Sequence, residues 1–288
     1  MSVSNNASGD ENTYFIDAEN AAEMARLTVQ DRLTTKAMGG LLPEQADVSG
    51  IYDILDIACG PGAWVLDMAQ TYPEKRVTGI DISRLMIAYA QAQAREKDLN
   101  NASFQVMDAL KPLEFADHSF DLVNARFIFS FMPATAWPKL LQECLRILQP
   151  GGIIRLTESE WYFTNSAAYE RLHGMVTQAM HLAGLSFSPD GRMVGITPML
   201  ARLLRDAGFA GIAEQAHMIN LSAGTEAHQG LYQNLLAFLK LIQPFLIKTG
   251  VTTQAEVDSL YYQAMGELMS DEFCAVSFLL TAWGTKPG

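Results

Sequence analysis

The stretch Leu55-Asp56-Ile57-Ala58-Cys59-Gly60-Pro61-Gly62, followed by Gly79-Ile80-Asp81, decides the fold of this chain. It has the pattern of a buried strand, a glycine turn, the start of a helix, and a second strand that ends in a carboxylate. Glycines let the backbone of such a turn approach a ligand closely, and a carboxylate about 20 positions further on binds ribose hydroxyls. The stretch therefore predicts a site for a nucleotide-like ligand at the edge of a parallel sheet.

Composition narrows the class of protein. A chain of 288 residues with 49% hydrophobic content suits one large domain, or one domain with a cap. The net charge of −12 repels phosphate backbones, which argues against a nucleic-acid partner. Cys59, Cys144 and Cys274 lack metal-ligand spacing, so we predict no metal site and reduced thiols in a cytoplasmic protein. Apolar runs are too short for a membrane span, so no membrane partner is expected.

Strand and helix patterns alternate in the first half of the chain, which predicts a doubly wound parallel sheet. The predicted strands cover residues 51–58, 76–81, 103–107, 120–125 and 153–157, and the helices between them cover residues 63–71, 83–95 and 137–148. Before this series we expect a disordered tail at residues 1–12. An N-terminal helical lid then follows at residues 13–45, with its helix at 17–38.

The alternation changes after Glu160. The remaining patterns indicate helices at 166–183 and 198–207, a loop at 185–195, strands at 212–221 and 273–283, and long helical stretches at 228–248 and 254–269. We therefore predict one domain at residues 46–288, with helical insertions at about 162–195 and 226–270 that form a substrate cap. A surface for a homo-oligomer is the alternative for these helices, and the sequence leaves both open.

The glycine turn differs from a dinucleotide fingerprint. Gly60 and Gly62 fit the spacing G-x-G-x-x-G, but Val65 stands where the third glycine allows close packing of helix and strand. A ligand without phosphates has less need of that cradle. The turn and Asp81 remain, which favours a nucleoside-type ligand without a pyrophosphate.

At this point the chain resembles the class I S-adenosylmethionine-dependent methyltransferases. The resemblance rests on the following motifs, which occur in the family's order: Asp56-Ile57-Ala58-Cys59-Gly60-Pro61-Gly62, Asp81-Ile82-Ser83, Met107-Asp108-Ala109, Phe120-Asp121-Leu122-Val123-Asn124 and Leu148-Gln149-Pro150-Gly151-Gly152. Ala58 departs from the family, where a glycine is more usual. Together the motifs cover residues 51–160.

The resemblance implies a Rossmann-like α/β fold, doubly wound and seven-stranded, mostly parallel with the last strand antiparallel, plus a helical cap. It also implies S-adenosyl-L-methionine as cofactor and S-adenosyl-L-homocysteine as product, with Asp81 on ribose, Asp108 on adenine and the Asn124 backbone near the sulfonium. Tyr14 is expected either to close over the cofactor or to belong to a hydrophobic staple of the N-terminal helix, and Arg32 either to pair with the cofactor's carboxylate or to lie on a solvated helix face. The predicted cofactor-binding residues are Tyr14, Arg32, Ala58, Cys59, Gly60, Gly62, Asp81, Ile82, Met86, Met107, Asp108, Ala109 and Asn124.

The segment after the fourth strand narrows the acceptor. Methyltransferases of nucleobases or glutamine amides carry Asn/Asp-Pro-Pro-Tyr/Phe there, whereas this chain has Asn124-Ala125-Arg126-Phe127. The pattern is similar to small-molecule methyltransferases of quinone and bacterial natural-product pathways, a setting in secondary metabolism. The expected partner is therefore a small apolar or aromatic acceptor with an oxygen or carbon nucleophile. Phe127, Glu160 and Trp161 are its predicted contacts.

The catalytic prediction concerns two residues. Glu158 follows the fifth strand, at the sheet edge where ligands bind, and His173 lies on the next helix. Either would serve as a base if the nucleophile must lose a proton. The alternatives are an exposed or helix-capping carboxylate for Glu158 and a packed or surface histidine for His173.

Three other functions stay open at this stage. One is an NAD-dependent oxidoreductase, which Val65 disfavours. The second is a non-catalytic cofactor-binding subunit. The third is an enzyme of this fold that uses the sulfonium for other chemistry.

Overall fold

Seven strands form a single sheet in the spatial order β3-β2-β1-β4-β5-β7-β6. The strands are β1 (Asp53–Ile57), β2 (Arg76–Asp81), β3 (Ala102–Val106), β4 (Phe120–Arg126), β5 (Leu148–Thr164), β6 (Ala210–Asn220) and β7 (Ala275–Thr285). The first five pair in parallel, and β7 runs antiparallel to both β5 and β6. The predicted doubly wound sheet with an antiparallel last strand is confirmed. These facts come from a computed structural model that describes residues 14–288, so the predicted tail at 1–12 lies outside the described residues.

Helices cover both faces of the sheet and its carboxyl edge. They are α1 (Ala21–Met38), α2 (Ala63–Thr71), α3 (Arg84–Glu96), α4 (Trp137–Ile147), α5 (Ala167–Leu182), α6 (Leu200–Ala207), α7 (Glu226–Leu241), α8 (Gln243–Lys248) and α9 (Gln254–Leu268). Local signals in the sequence set several of their ends. Asn20 and Ser83 cap α1 and α3 by accepting backbone N–H groups, and Gly39 ends α1 in the left-handed conformation.

Two apolar cores hold these layers together. The smaller core lies between the sheet and α2 and α3, where Trp64 and Met68 pack on Ile54. The larger core contains residues of the central strands together with α4, α5, α7 and α9. One core thus joins the sheet to the later helices.

Two elements differ from the prediction. Strand β5 continues to Thr164 instead of ending at residue 157, because it pairs with the first half of β7. The helical stretch predicted at 228–248 is two helices, which meet at Ile242. Pro244 explains the break, since it has no N–H to donate to the preceding turn.

Candidate functional site

A cavity of about 270 Å³ lies at the carboxyl edge of the sheet, beneath α1 and α7. We call its two ends the glycine-loop half, next to β1–β3, and the aromatic half, next to β5–β7. The glycine-loop half is lined by Ala58, Cys59, Gly60, Asp81, Ile82, Met86, Met107, Asp108 and Ala109. The aromatic half is lined by Tyr14, Phe15, Arg26, Gln30, Phe129, Trp161, Tyr162, Ile219, Leu221, Asn234, Leu235, Phe238, Ser277 and Leu279.

The glycine loop brings bare backbone to the cavity. Gly60 and Gly62 have φ of 52° and 79°, the region that glycine adopts without strain. A Cβ on Gly62 would lie 2.7 Å from both Ala90 and Phe104, so this residue shapes the loop although it does not line the cavity. Ala58 also has a positive φ, 56°, so its departure from the family's glycine is accommodated at the cost of backbone strain.

Asp81 stands at the end of β2, facing the loop. Its Oδ2 accepts the Gly60 N–H at 2.9 Å, and its Oδ1 accepts the Ser83 N–H at 2.9 Å. Burial raises the pKa of this carboxyl, although the two backbone N–H groups oppose the shift. Each oxygen keeps a further lone pair for a ligand hydroxyl.

Asp108 occupies the corresponding place after β3. Its Oδ1 accepts the Leu110 N–H at 2.9 Å, which fixes the side chain beside Met107 and Ala109. The glycine-loop half therefore offers bare backbone and two oriented carboxylates. A nucleoside with ribose hydroxyls and an exocyclic amine fits this donor and acceptor set.

A charged group lies between the two halves. Arg126, at the end of β4, pairs with Asp31 of α1, and Asp56 of β1 also lines the cavity there. Asp56 Oδ1 accepts the Asn124 amide at 2.7 Å, and burial raises its pKa to about 7. Charges of both signs at one place suit the zwitterionic end of an amino acid.

Arg32 lies elsewhere. It lines a small separate cleft with Asp67 and Lys97, so the prediction that it pairs with the cofactor's carboxylate is not supported by its position. The cations that do line the cavity are Arg26 and Arg126, and Arg126 is the one that lies between the two halves. The sequence signal for it is its place directly after the fourth-strand motif, at the carboxyl end of a strand.

Glu158 and Glu160, which the sequence predicted to follow the fifth strand, lie within β5 and point away from the cavity. Ser159 faces the cavity, and successive strand residues face opposite sides, which turns Glu158 and Glu160 outward. Glu158 is fully buried, its pKa is raised by that burial, and it accepts the Ile128 N–H at 2.9 Å. Glu160 accepts the N–H groups of Gly195 and Thr197. Glu158 is therefore not placed to act as a base, and Glu160 is not placed to contact the acceptor. Both carboxylates instead accept hydrogen bonds from backbone N–H groups.

His173 and Asn124 also lie outside the cavity lining. The His173 ring packs between Trp161 and Tyr169, and burial lowers its pKa to about 4. Asn124 is fully buried beneath Asp56, and its Oδ1 accepts an N–H of Arg155 at 2.8 Å. His173 is therefore no candidate base in this geometry, and the Asn124 side chain orients Asp56.

The aromatic half was only partly predicted. Phe127, Trp161 and Tyr14 line the cavity as the sequence suggested. Phe238 of α7 lies 5.2 Å from Trp161 and 6.1 Å from Phe15 between ring centroids, and no sequence signal selected it. A β-bulge between Ser159 and Tyr162 brings both Trp161 and Tyr162 to the cavity.

A polar cluster from the lid was also missed. Arg26 and Gln30 of α1 and Asn234 of α7 line the cavity next to the aromatic rings. Arg26 and Gln30 are one helical turn apart on α1, which was the available signal in the sequence. The same spacing is equally typical of a solvated helix face.

Within residues 14–288, no group of three or more His, Cys, Asp or Glu side chains is arranged to hold a metal ion. None of the described helices has both the length and the apolar character required to cross a membrane.

Comparison with known proteins agrees with this geometry. Residues 54–152 match a family model described as a methyltransferase domain. The chain is 30% identical over 186 residues to the probable methyltransferase ltbC of Aspergillus luteorubrus, covering 62% of each chain. It is 27% identical over 174 residues to the methyltransferase pytC of Aspergillus terreus, covering 60% of this chain and 49% of that one. The chain thus spans about half to three fifths of these relatives' lengths.

Among solved structures, a phosphoethanolamine N-methyltransferase of Haemonchus contortus, in complex with S-adenosylhomocysteine, has a TM-score of 0.51. Its sequence identity is 20%, and the match covers 88% of this chain and 53% of that one, which shows a shared fold. The carboxyl edge of this Rossmann-like sheet offers hydrogen-bond groups that suit a nucleoside-type ligand. Residues 54–152 thus resemble a methyltransferase domain, and the chain is similar over 186 residues to a probable methyltransferase.

Proposed function

We propose that this protein transfers the methyl group of S-adenosylmethionine to an oxygen or carbon atom of a small, apolar or aromatic acceptor. The observation that carries this proposal is one continuous cavity whose two halves differ in chemistry. The glycine-loop half fits a nucleoside, and the aromatic half fits an apolar ring.

The cofactor assignment is supported by the residues of the glycine-loop half. Asp81 would accept the ribose hydroxyls and Asp108 the adenine amine, while Gly60 brings backbone close to the ligand. Asp31 and Arg126 would take the ammonium and carboxylate of the methionine part. When bound there, the cofactor supplies an electrophilic methyl carbon on a positively charged sulfur.

The acceptor assignment is supported by the rings of the aromatic half. Phe129, Trp161 and Phe238 form a continuous aromatic wall, and Phe15 closes it from the lid. Aromatic side chains of this kind bury planar apolar molecules by area and by ring stacking. Such a wall offers little to a nucleic acid or a protein amide, which agrees with the net charge of −12.

Catalysis would rest on alignment and on exclusion of water. Methyl transfer is an in-line displacement: the acceptor atom forms a bond to the methyl carbon while the carbon–sulfur bond breaks, with its electron pair left on sulfur. Helix α1 lies over the cavity and shields it from solvent, which strengthens electrostatic interactions inside.

The proposed cellular location of the protein rests on its cysteines, and its proposed partner rests on the cavity. The three cysteines are free thiols, which supports a cytoplasmic protein. A small-molecule acceptor is the only partner that the cavity itself supports.

Calorimetry and product analysis test the proposal. We expect S-adenosylhomocysteine to bind the wild type, Asp81→Asn to weaken that binding at least about tenfold, and the exposed Asp271→Asn to leave it unchanged. With S-adenosylmethionine, small aromatic hydroxyl compounds should gain one methyl group, as seen by mass spectrometry. Tighter binding of NAD would contradict the cofactor, methylation of amines alone would contradict the acceptor class, and cofactor binding without any methylated product would favour a non-catalytic subunit.

A further inference from the structure

Three polar side chains interrupt the apolar wall of the aromatic half. Arg26 Nη1 donates to Gln30 Oε1 at 2.6 Å and lies 3.5 Å from Asn234 Oδ1. The guanidinium is also 5.5 Å from the centroid of the Phe238 ring. We call Arg26, Gln30 and Asn234 the lid polar cluster, and all three line the cavity.

Glu23 orients this cluster from behind. Arg26 Nε and Nη2 donate to its two carboxylate oxygens at 2.7 and 2.6 Å, the forked geometry that fixes a guanidinium. Glu23 is fully buried and does not line the cavity, whereas Arg26 does. The carboxylate therefore holds the guanidinium with its positive edge toward the ligand space. The Nη1 N–H that faces Asn234 Oδ1 is the most loosely held, at 3.5 Å, and the Tyr14 hydroxyl is a further hydrogen-bond partner of the guanidinium.

The aromatic half contains no group suited to accept a proton. Its titratable side chains are Tyr14, Arg26 and Tyr162, and burial raises the pKa of both phenols, which keeps them neutral at pH 7. Among the described residues, the carboxylates that line the cavity lie outside this half. An acceptor hydroxyl that enters beside Arg26 thus meets hydrogen-bond donors, whereas Asp31 and Asp56 lie at the junction with the glycine-loop half.

From this arrangement we propose that the lid polar cluster selects acceptors whose oxygen is already ionised, through a charge-assisted hydrogen bond from Arg26. The substrate class is then acidic hydroxyl compounds, such as phenols with electron-withdrawing groups or the enols of 1,3-dicarbonyls. The inference rests on the proposed function and adds the ionisation state of the acceptor. The proton leaves to solvent before binding, and the anion and the cationic sulfonium give two neutral products, so no residue needs to act as a base.

The probe for this inference is 4-nitrophenol, whose anion absorbs visible light. We expect its pKa in the complex of the protein with S-adenosylhomocysteine to be about one unit lower than in water, which equals a tenfold preference for the anion. Nitrobenzene, which has the same ring but no hydroxyl, should bind without that preference and competes for the same wall.

Variants test whether Arg26 is responsible. Arg26→Gln should abolish the pKa shift while leaving nitrobenzene binding within about twofold, and the exposed Arg205→Gln should keep the shift. Arg26→Gln leaves the Glu23 carboxylate buried without its partner, which can destabilise the fold. The double variant Glu23→Gln/Arg26→Gln removes both charges, so it tests the role of Arg26 without an unpaired buried charge.

The outcomes separate the two proposals. A bound 4-nitrophenol with an unchanged or raised pKa, or a shift that persists in the double variant, overturns the role of Arg26 but leaves the apolar acceptor site intact. Failure of both nitrobenzene and 4-nitrophenol to bind overturns the proposed acceptor class as well.

Discussion

Burial raises the pKa of the Asp56 carboxyl, an effect that its place in the first motif does not predict. The residue is 3% exposed, and its carboxyl has a pKa near 7 although Asn124 and Arg126 both favour the charged form. Asp31 opposes them through its own negative charge. The native protein therefore keeps this group largely protonated at a pH where an unfolded chain has lost the proton.

This gives a prediction for Asp56→Asn. The native pKa of about 7 is above the ordinary 3.8, so the native state binds the extra proton between these values. The contribution of Asp56 to the free energy of unfolding is fully present below the lower value and is lost as pH rises through the upper one, by at most about 1.4 kcal/mol per pH unit. Asn, which keeps the bond from Asn124, should gain stability relative to wild type over that window.

Urea unfolding at about pH 5 and about pH 8 measures the effect. The exposed Asp271→Asn is the control and should run parallel to wild type. If the free energies of unfolding of Asp56→Asn and wild type change equally between the two pH values, the Asp56 carboxyl is not held protonated in the native protein.

At the scale of elements, α1 is tied to the rest of the chain by two ion pairs of different burial. Asp31 pairs with Arg126 of β4, where both side chains are about one-tenth exposed. Lys36 pairs with Glu226 of α7 in solvent. A partly buried pair loses more when one partner is removed, because the remaining charge is left desolvated.

The two pairs give a matched comparison. We expect Asp31→Asn to lower the free energy of unfolding by about 3 kcal/mol and Lys36→Ala to lower it by at most about 1 kcal/mol. Limited proteolysis near α1 should be faster only in Asp31→Asn. Equal losses in the two variants would mean that Arg126 does not depend on the lid.

At the scale of the molecule, the larger apolar core joins the sheet to α5, α7 and α9. We therefore expect one cooperative unfolding transition, with the same midpoint by far-ultraviolet circular dichroism and by tryptophan fluorescence. S-adenosylhomocysteine at a hundred times its Kd should stabilise the whole unit by about 2.7 kcal/mol. Separate melting of the helices, or a ligand effect on only one probe, would contradict a built-in cap.

The sequence by itself determined the parallel half of the sheet and the resemblance to a family of methyltransferases, and that resemblance implied the antiparallel last strand. Those features depend on local patterns: alternating strands and helices, a glycine turn, and a carboxylate at the end of β2. Gly60 has a positive φ in the turn, and Asp81 stands at the end of β2, as those patterns predicted. The location of most predicted cofactor residues in one half of the cavity follows from the same rule, because parallel strands bring their carboxyl ends to one edge.

Only the tertiary structure decided which side chains reach the aromatic half. The outward position of Glu158 depends on the register of β5, and the inward position of Tyr162 on a bulge that pairing with β7 creates. Arg26 lines the cavity and Arg32 does not, because α1 packs one face on α7. A strand residue changes face with a shift of one position, and a helix face is chosen by its neighbour, so neither could be read from local sequence.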